Sequence, residues 1–293
     1  MKYRIVELLR CPDHPERMLR VTDAYLSEIF PYSGELSMPV CRKGCGYLGN
    51  WFTDIPESLP RTHRIDCRRC MGTEIESAVL MCPECGWSLN VADGVLQACG
   101  DFECTFADEY ALDNKTAGPI EKHLDLHHQQ LALVLAPLPD SVVSKWGHEQ
   151  VERIQVELSS EVMLSGRAKC CANGDEMVHY LGGPLDISIL RPAEYDALIA
   201  TIPTERIARW PEWFGQVPSL LRKSGRAVLV YPRTPDSPKN PAERKKKIRE
   251  ELPEGFNDLE LKFADAPGAD LLLVEHPEPE NGFKEKIPKR DDC

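Results

Sequence analysis

Hydrophobic positions along the chain follow two patterns, and the change between them falls near residue 113. Before it, short stretches such as TEIESAVLM alternate apolar and polar residues, which predicts half-buried strands. In the later part, helical patterns separate the apolar runs. One such pattern is 207–225, and its Gly225 is typical of the residue that follows a helix end. This alternation of strands and helices predicts a parallel α/β sheet. The strand-length aliphatic runs lie at 131–137, 153–158, 195–201, 225–232 and 270–277.

Composition and charge narrow the class of protein. The chain has 293 residues, which is long enough for two domains. Its net charge of −12 argues against broad binding to nucleic acid, because a phosphate backbone attracts basic surfaces. No apolar run reaches about 18 residues, and the start MKYRIVELLRCPDHP has no long apolar segment, so we expect neither a membrane span nor a signal peptide. These features predict a soluble, cytoplasmic protein.

Twelve cysteines in such a protein point to metal binding, since disulfides are rare in a reducing compartment. Two C-x-x-C pairs, CRRC and CPEC, stand eleven residues apart. Two such turns can close a tetrahedral zinc site, because each turn points both sulfurs inward. The sequence therefore predicts one zinc site of Cys67, Cys70, Cys82 and Cys85. Buried free thiols are the alternative.

A second group of candidate ligands is less regular. Cys11 and His14 form C-x-x-H, and Cys41 and Cys45 form C-x-x-x-C. Together they predict a second zinc site, with a surface histidine as the alternative for His14. Closed four-ligand zinc sites are structural, because they leave no position open for substrate or water. We therefore expect two structural zinc ions. Two further cysteines of this part, Cys99 and Cys104, are assigned to ordinary packing.

The two cysteine-rich units look like an internal repeat. CGYLGNWFTDIPESL (45–59) and CGWSLNVADGVLQAC (85–99) both run Cys-Gly-aromatic, then Asn, then Asp with an aliphatic residue. With ELLRCP near the start, they resemble the small zinc-ribbon proteins similar to the activator subunit of tRNA and protein methyltransferases. The resemblance implies a β-rich region with one zinc ribbon at 1–60 and another at 61–110. It also implies a protein partner that binds through the ribbons.

The later aliphatic runs resemble class I S-adenosylmethionine-dependent methyltransferases in their order and content. IQVELSSEVML (154–164) is similar to that family's second strand and the turn after it, and YDALIA (195–200) to its fourth strand. LLRKSGRAVLVYP (220–232) is similar to its fifth. The resemblance implies a Rossmann-like, methyltransferase-type α/β domain at 119–277. The polar tail at 278–293 is expected to be disordered.

The same resemblance implies positions for the cofactor. Glu157, at the end of a strand, would accept both ribose hydroxyls of S-adenosylmethionine, and Asp175 would accept from the adenine amino group. Ala136 stands where the family's Gly-rich turn holds the amino-acid tail of the cofactor. The segment LVLAPLPDSVV has two prolines and no glycine there, so this turn departs from the family pattern. No catalytic residue follows, and the methyl acceptor could be a small molecule, a protein or RNA.

Three functions are compatible with these residues. The chain could be a methyltransferase with fused zinc ribbons, or a catalytically inactive relative that serves as a zinc-stabilised scaffold or partner subunit. Another chemistry on the same fold is the third, since a fold does not determine a function. Glu157 and Asp175 favour the first, and the lost glycines favour the second. Cys170 and Cys171 are assigned to packing. His123 and His127 are assigned to a solvated helix face.

Overall fold

Strands make up much of the computed structural model, which describes residues 3–26, 40–41, 64–65, 75–97, 114–127, 130–138, 140–149, 151–173, 178–204 and 206–277. The strands in these ranges are β1 Arg20–Leu26, β2 Val40–Cys41, β3 Arg64–Ile65, β4 Ile75–Met81, β5 Ser88–Ala92, β6 Val95–Gln97, β7 Leu131–Leu135, β8 Glu152–Glu157, β9 Val178–Gly182, β10 Tyr195–Thr201, β11 Leu221–Pro232, β12 Glu260–Ala266 and β13 Ala269–Glu275. The α-helices are α1 Asn114–Leu124, α2 Asp140–His148, α3 Ser160–Asn173, α4 Trp210–Trp213 and α5 Pro241–Glu251.

The carboxyl-terminal part forms an α/β sheet, as predicted, but the sheet is mixed rather than wholly parallel, because β13 at 269–275 runs antiparallel. Strands β9, β8, β7, β10 and β11 lie side by side in that order and run parallel. In chain order this is the 3-2-1-4-5 arrangement of doubly wound nucleotide-binding sheets. Strand β13 then runs antiparallel between β11 and β12. The alternation of aliphatic runs with helical patterns therefore identified the architecture correctly.

The unbroken aliphatic runs are explained by burial on both faces of this sheet. In β7, Leu133 and Leu135 pack into one core, while Ala132 and Val134 pack into a second core on the other face. The second core also contains Trp146 of α2, which is buried. Because successive side chains of a strand point to opposite faces, a strand covered on both sides is apolar throughout.

The amino-terminal strands continue the same sheet. Their order β1-β4-β5-β6 leads directly to β9, and β6 pairs with β9 in parallel, Leu96 opposite Leu181. Arg167 of α3 forms an ion pair with Glu76 of β4, in which its Nη2 lies 2.9 Å from each carboxylate oxygen. The two parts of the chain thus share one sheet, and side chains of both enter one core. The short strands β2 and β3 pair with each other, separately from this sheet.

Two details of the chain differ from expectation. The helix predicted over 207–225 is wrong except for the four residues of α4, which gives way to a 3-10 helix at Phe214–Leu220 and then to β11. Pro218 lacks an amide donor for an α-helix, and pairing with β10 draws the following residues into the sheet. The Gly-Pro step at 118–119, where the composition changes, lies within α1.

The short apolar runs of the sequence predict that the chain has no membrane span. None of the helices within the described ranges is long and apolar enough to span a bilayer. The tail at 278–293 lies outside the described residues, so its predicted disorder stays a prediction.

Candidate functional site

The first candidate site is at the carboxyl edge of the parallel strands. Strand β7 has β8 on one side and β10 on the other, so the chain changes direction across the sheet between β7 and β10. In open α/β sheets, ligands bind at such a switch point, outside the carboxyl ends of the strands. The register places Glu157 of β8 opposite Gly182 of β9, and Leu135 of β7 opposite Ala200 of β10. Ala136 follows Leu135 at this edge, where it is fully buried.

Glu157 is the last residue of β8 and is 9% exposed. Both of its carboxylate oxygens accept hydrogen bonds from the chain itself. Oε2 accepts from Nη1 of Arg206 at 2.9 Å, and Oε1 accepts from Nε2 of Gln155 at 2.9 Å. The carboxylate predicted to hold a ribose therefore already has a cation and an amide as partners.

Arg206 reaches this position from the loop after β10. Its side chain is 5% exposed, and Nη1 also donates to the carbonyl of Val156. Its backbone is held as well, since its amide donates to Oγ1 of Thr204 at 3.1 Å and its carbonyl accepts from the amide of Leu185 at 2.7 Å. Sequence reasoning missed Arg206, because it lies 49 residues from Glu157 in a loop without a motif.

The turn after β7 belongs to the same network. The carbonyl of Ala136 accepts from Nε2 of Gln155 at 3.2 Å, so Gln155 links the ends of β7 and β8. Pro137 and Leu138, which follow, are half-buried. Thr201, at the end of β10, has a buried hydroxyl with no partner among the described residues. Asp175, the predicted adenine acceptor, lies outside those residues.

The second candidate site is a cluster of thiols and an imidazole in the amino-terminal part. One ligand atom each of Cys11, His14, Cys82 and Cys85 lies within 4.8 Å of the others. The sulfurs of Cys11 and Cys85 are 3.6 Å apart, and Nδ1 of His14 is 3.9 Å from the sulfur of Cys11 and 3.8 Å from that of Cys82. Tetrahedral zinc with sulfur at about 2.3 Å requires ligand atoms about 3.7 Å apart, so the spacing and the donor set fit zinc.

Local backbone geometry arranges these donors. Cys82 follows β4, and its carbonyl accepts from the amide of Gly86 at 3.0 Å, which closes the turn that carries Cys85. Gly86 has φ of +76°, which a residue without a Cβ adopts readily. On the other side, Arg10 donates its amide to the carbonyl of Ile189 at 2.8 Å, which holds the segment before Cys11 against the loop that leads to β10.

The two buried thiols of the cluster differ in acidity. Burial raises the pKa of the Cys11 thiol to about 11, since a thiolate is poorly solvated there. Burial also acts to raise the pKa of the Cys82 thiol, but backbone amides of Cys85 and Glu84 donate to its sulfur and lower the pKa to about 7. A thiolate is the form that binds a metal, and Cys82 reaches that form at a lower pH than Cys11.

The grouping of these ligands differs from the one predicted. Spacing assigned Cys82 and Cys85 to a site with Cys67 and Cys70, whereas the structure places them beside Cys11 and His14. A C-x-x-C step determines the geometry within a pair, but the partner pair depends on the course of the chain between them. Among the other predicted ligands, Cys41 is described by its backbone in β2, and Cys45, Cys67 and Cys70 lie outside the described residues.

Two other residue pairs have simpler places in the fold. His123 is in the last turn of α1 and its Nε2 lies 3.1 Å from the carbonyl of Val274, while His127 comes after the helix end. The expected pairing of these histidines on one helix face is therefore wrong. Cys170 and Cys171 belong to α3, where their backbones are helical.

The known proteins that this chain resembles are solved structures. No family profile matches the chain, and no curated protein matches it. A S-adenosylmethionine-dependent methyltransferase from Aquifex aeolicus is 9% identical, over 55% of this chain and 89% of that chain, with a TM-score of 0.42. Phosphoethanolamine N-methyltransferase 2 of Haemonchus contortus, in complex with S-adenosyl-L-methionine, is 13% identical, over 50% of this chain and 38% of that chain, with a TM-score of 0.36.

A third similar structure is the 4+2 cyclase SpnF, 10% identical over 56% of this chain and 81% of that chain, with a TM-score of 0.42. Methyltransferases and a cyclase thus occur among the similar structures. All three TM-scores are below 0.5, so we base the fold on the strand order and the function on the residues of the two sites.

Proposed function

We propose that the chain is a methyltransferase-like protein whose position for S-adenosylmethionine is the carboxyl edge of β7, β8 and β10. The observation that carries this proposal is the place of Glu157, a buried carboxylate at the end of the strand next to the switch point. A carboxylate there can accept hydrogen bonds from both hydroxyls of a ribose. When bound, the cofactor would supply the methyl group, and the protein's share of the rate would come from orientation.

Other residues of this edge have supporting roles in the proposal. Thr201 offers a buried hydroxyl without a partner among the described residues, which suits a polar group of a ligand. Ala136 would line the turn near the amino-acid tail of the cofactor, and Asp175 would accept from the adenine amino group. The methyl acceptor, whether a small molecule, a protein or RNA, would approach the same edge.

We further propose that Cys11, His14, Cys82 and Cys85 bind one structural zinc ion. The ligand atoms are spaced as a tetrahedral site requires. Four protein ligands leave no open position, so this zinc would stabilise the fold rather than activate water. It would attach the amino-terminal segment to the turn after β4. A second zinc, bound by the remaining predicted ligands, completes the proposal, and the zinc-bound part would be the surface for a protein partner.

A second candidate function is a scaffold or partner subunit without catalysis. The internal bonds of Glu157 and the turn at Ala136 favour it. Two amide donors that a Gly-rich turn would offer are missing where prolines stand, and Pro137 is one of them. The sheet shared by both parts of the chain would then serve to present the zinc-bound region to a partner.

Titration calorimetry with S-adenosylmethionine and its demethylated product distinguishes the two functions. Saturable binding supports the methyltransferase-like site, and Glu157→Ala should then weaken it by about 1–3 kcal/mol, since two hydroxyls lose a charged acceptor. Glu149→Ala, which removes an exposed carboxylate of the loop after α2, is the control and should leave the affinity unchanged. Absence of heat and of a thermal shift at millimolar ligand would leave the scaffold as the function.

A further inference from the structure

We infer that Arg206 is an internal ligand of Glu157, and that it sets the affinity of the carboxyl edge for nucleoside-containing ligands by competing with the ribose. The inference rests on the proposed function, because it concerns the same position. It adds a residue that neither the sequence motifs nor the proposed cofactor contacts include. A ribose would meet a buried carboxylate that Arg206 already engages.

The hydrogen bonds of Glu157 give the first reason. A ribose diol donates two hydrogen bonds, one to each oxygen of a carboxylate. Here Oε2 accepts from Arg206 and Oε1 accepts from Gln155, both at 2.9 Å. Gln155 also donates to the carbonyl of Ala136 at 3.2 Å, so it is held at both ends. Each oxygen can accept a second hydrogen bond, but the carboxylate is only 11% exposed, so a ligand has to compete with donors that the chain already supplies.

Charge gives the second reason. Glu157 and Arg206 are both buried, with side-chain exposures of 11% and 5%. A buried carboxylate without a cation is unfavourable, so the pair is held together more firmly than an exposed pair would be. Since the pair is neutral as a whole, the carboxylate also attracts the positively charged sulfonium of a methyl donor less than an unpaired acid would.

The backbone around Arg206 gives the third reason. Its amide donates to Thr204 and its carbonyl accepts from Leu185 at 2.7 Å. The next residues continue this contact, since the amide of Ala208 donates to the carbonyl of Leu185 at 3.0 Å. The guanidinium is thus presented from a fixed segment, and its position on Glu157 is part of the folded state. Displacement would require the side chain to rotate away while the backbone stays in place.

The test compares ligands with and without ribose hydroxyls in matched variants. Wild-type protein, Arg206→Ala, Arg206→Lys and the control Arg209→Ala are titrated with S-adenosylhomocysteine, adenosine and 2′,3′-dideoxyadenosine. Arg209 lies three residues further along, is 57% exposed and contacts Asp186 rather than Glu157. Arg206→Lys keeps a cation near the carboxylate, so it distinguishes the loss of the positive charge from the loss of the guanidinium geometry.

We expect Arg206→Ala to bind adenosine and S-adenosylhomocysteine at least about tenfold more tightly than wild type, the effect of one charge-assisted hydrogen bond regained by the ribose. The gain should vanish for dideoxyadenosine and in the double variant Arg206→Ala with Glu157→Gln. Arg206→Lys and Arg209→Ala should resemble wild type. A purely structural role for Arg206 would not produce this dependence on ribose hydroxyls.

Two results would overturn the inference, and they separate it from the proposed function. Equal affinity of wild type and Arg206→Ala for S-adenosylhomocysteine would leave the cofactor position standing and remove the competition by Arg206. No binding by any folded variant would remove the proposed function as well. If Arg206→Ala does not fold, wild type alone decides, since a strong preference for adenosine over dideoxyadenosine would show that the hydroxyls reach Glu157 despite Arg206.

Discussion

The two candidate sites belong to one sheet, but they differ in how their polar groups are satisfied. The cluster of Cys11, His14, Cys82 and Cys85 consists of four electron-pair donors that face each other. Glu157 at the carboxyl edge instead faces a guanidinium and an amide of its own chain. A group of electron-pair donors can share an external cation, whereas a carboxylate with an internal cation does not require a ligand. Predicted ligand residues therefore need their counter-charges identified before a ligand is assigned.

The largest effect that can test this comparison is loss of the cluster. We expect Cys82→Ser to release one equivalent of zinc and to lower the free energy of unfolding by at least about 3 kcal/mol, a part of the roughly 10 kcal/mol typical of structural zinc. Cys11→Ser should release the same equivalent, and the double variant no more than either single variant. Metal analysis and chemical denaturation measure both effects.

The grouping of ligands can be checked with the same measurements. Cys67→Ser should leave the zinc of the cluster bound, because Cys67 is not among the four residues that the structure brings together. Cys293→Ser, at the end of the chain, is a matched control for loss of a thiol. Release of two equivalents by the double variant of Cys11 and Cys82 would instead support the pairing predicted from spacing and contradict the cluster.

What the sequence could predict depends on how local each feature is. The end of β8 at Glu157 was predictable, because a serine pair that can begin a helix follows almost at once, and α3 does begin at Ser160. The C-x-x-C turn at Cys82 was predictable from the spacing of its two cysteines. The partner of Glu157 was not, since Arg206 arrives from a loop after another strand and no periodicity marks it. His14, which lies beside Cys82 in the cluster, is likewise 68 residues away in the sequence, so no local pattern relates the two.

A smaller effect tests how the amino-terminal strands rest on the carboxyl-terminal part. Gly94, in the two-residue turn between β5 and β6, has φ of +71°, and a Cβ there would collide with the guanidinium of Arg167. Gly86 has nearly the same φ of +76° but open space around it. We expect Gly86→Ala to cost about 1 kcal/mol from the backbone alone and Gly94→Ala about 2–3 kcal/mol. Thermal or denaturant unfolding with zinc present measures the difference.

The matched glycines also show which result would be unexpected. Arg167 is held by Glu76, so it cannot move away without losing that ion pair. Equal costs for the two alanine variants would mean that Arg167 yields freely and that the contact between β4 and α3 contributes little. Glu76→Gln alone should then cost little, whereas a firm contact predicts that Glu76→Gln alone is costly and that its cost and that of Gly94→Ala are less than additive.

The smallest effect concerns Asp270, a second carboxylate whose cation partners belong to the same chain. It lies where β13 begins, beside the end of β11. Asp270 is 2% exposed and accepts from Arg244 at 2.6 Å and from Arg233 at 2.8 Å. Burial acts to raise the pKa of Asp270, but the two guanidinium groups outweigh burial and lower it to about 2. Because the folded pKa lies below the unfolded one, the stabilisation is complete above about pH 4 and is lost as pH falls toward 2.

This titration sharpens the comparison of the two sites, because it measures what an internal cation contributes to a carboxylate at this edge. We expect about 1–2 kcal/mol of the free energy of unfolding to disappear between pH 4 and pH 2, reduced by solvent around the partly exposed Arg233. Asp270→Asn should remove that part of the pH dependence, while Asp265→Asn, at a carboxylate that is 54% exposed, should keep it. An unchanged acid slope in Asp270→Asn would mean that internal arginine pairs at this edge stabilise the fold far less than their geometry indicates, and the same would then apply to Arg206 on Glu157.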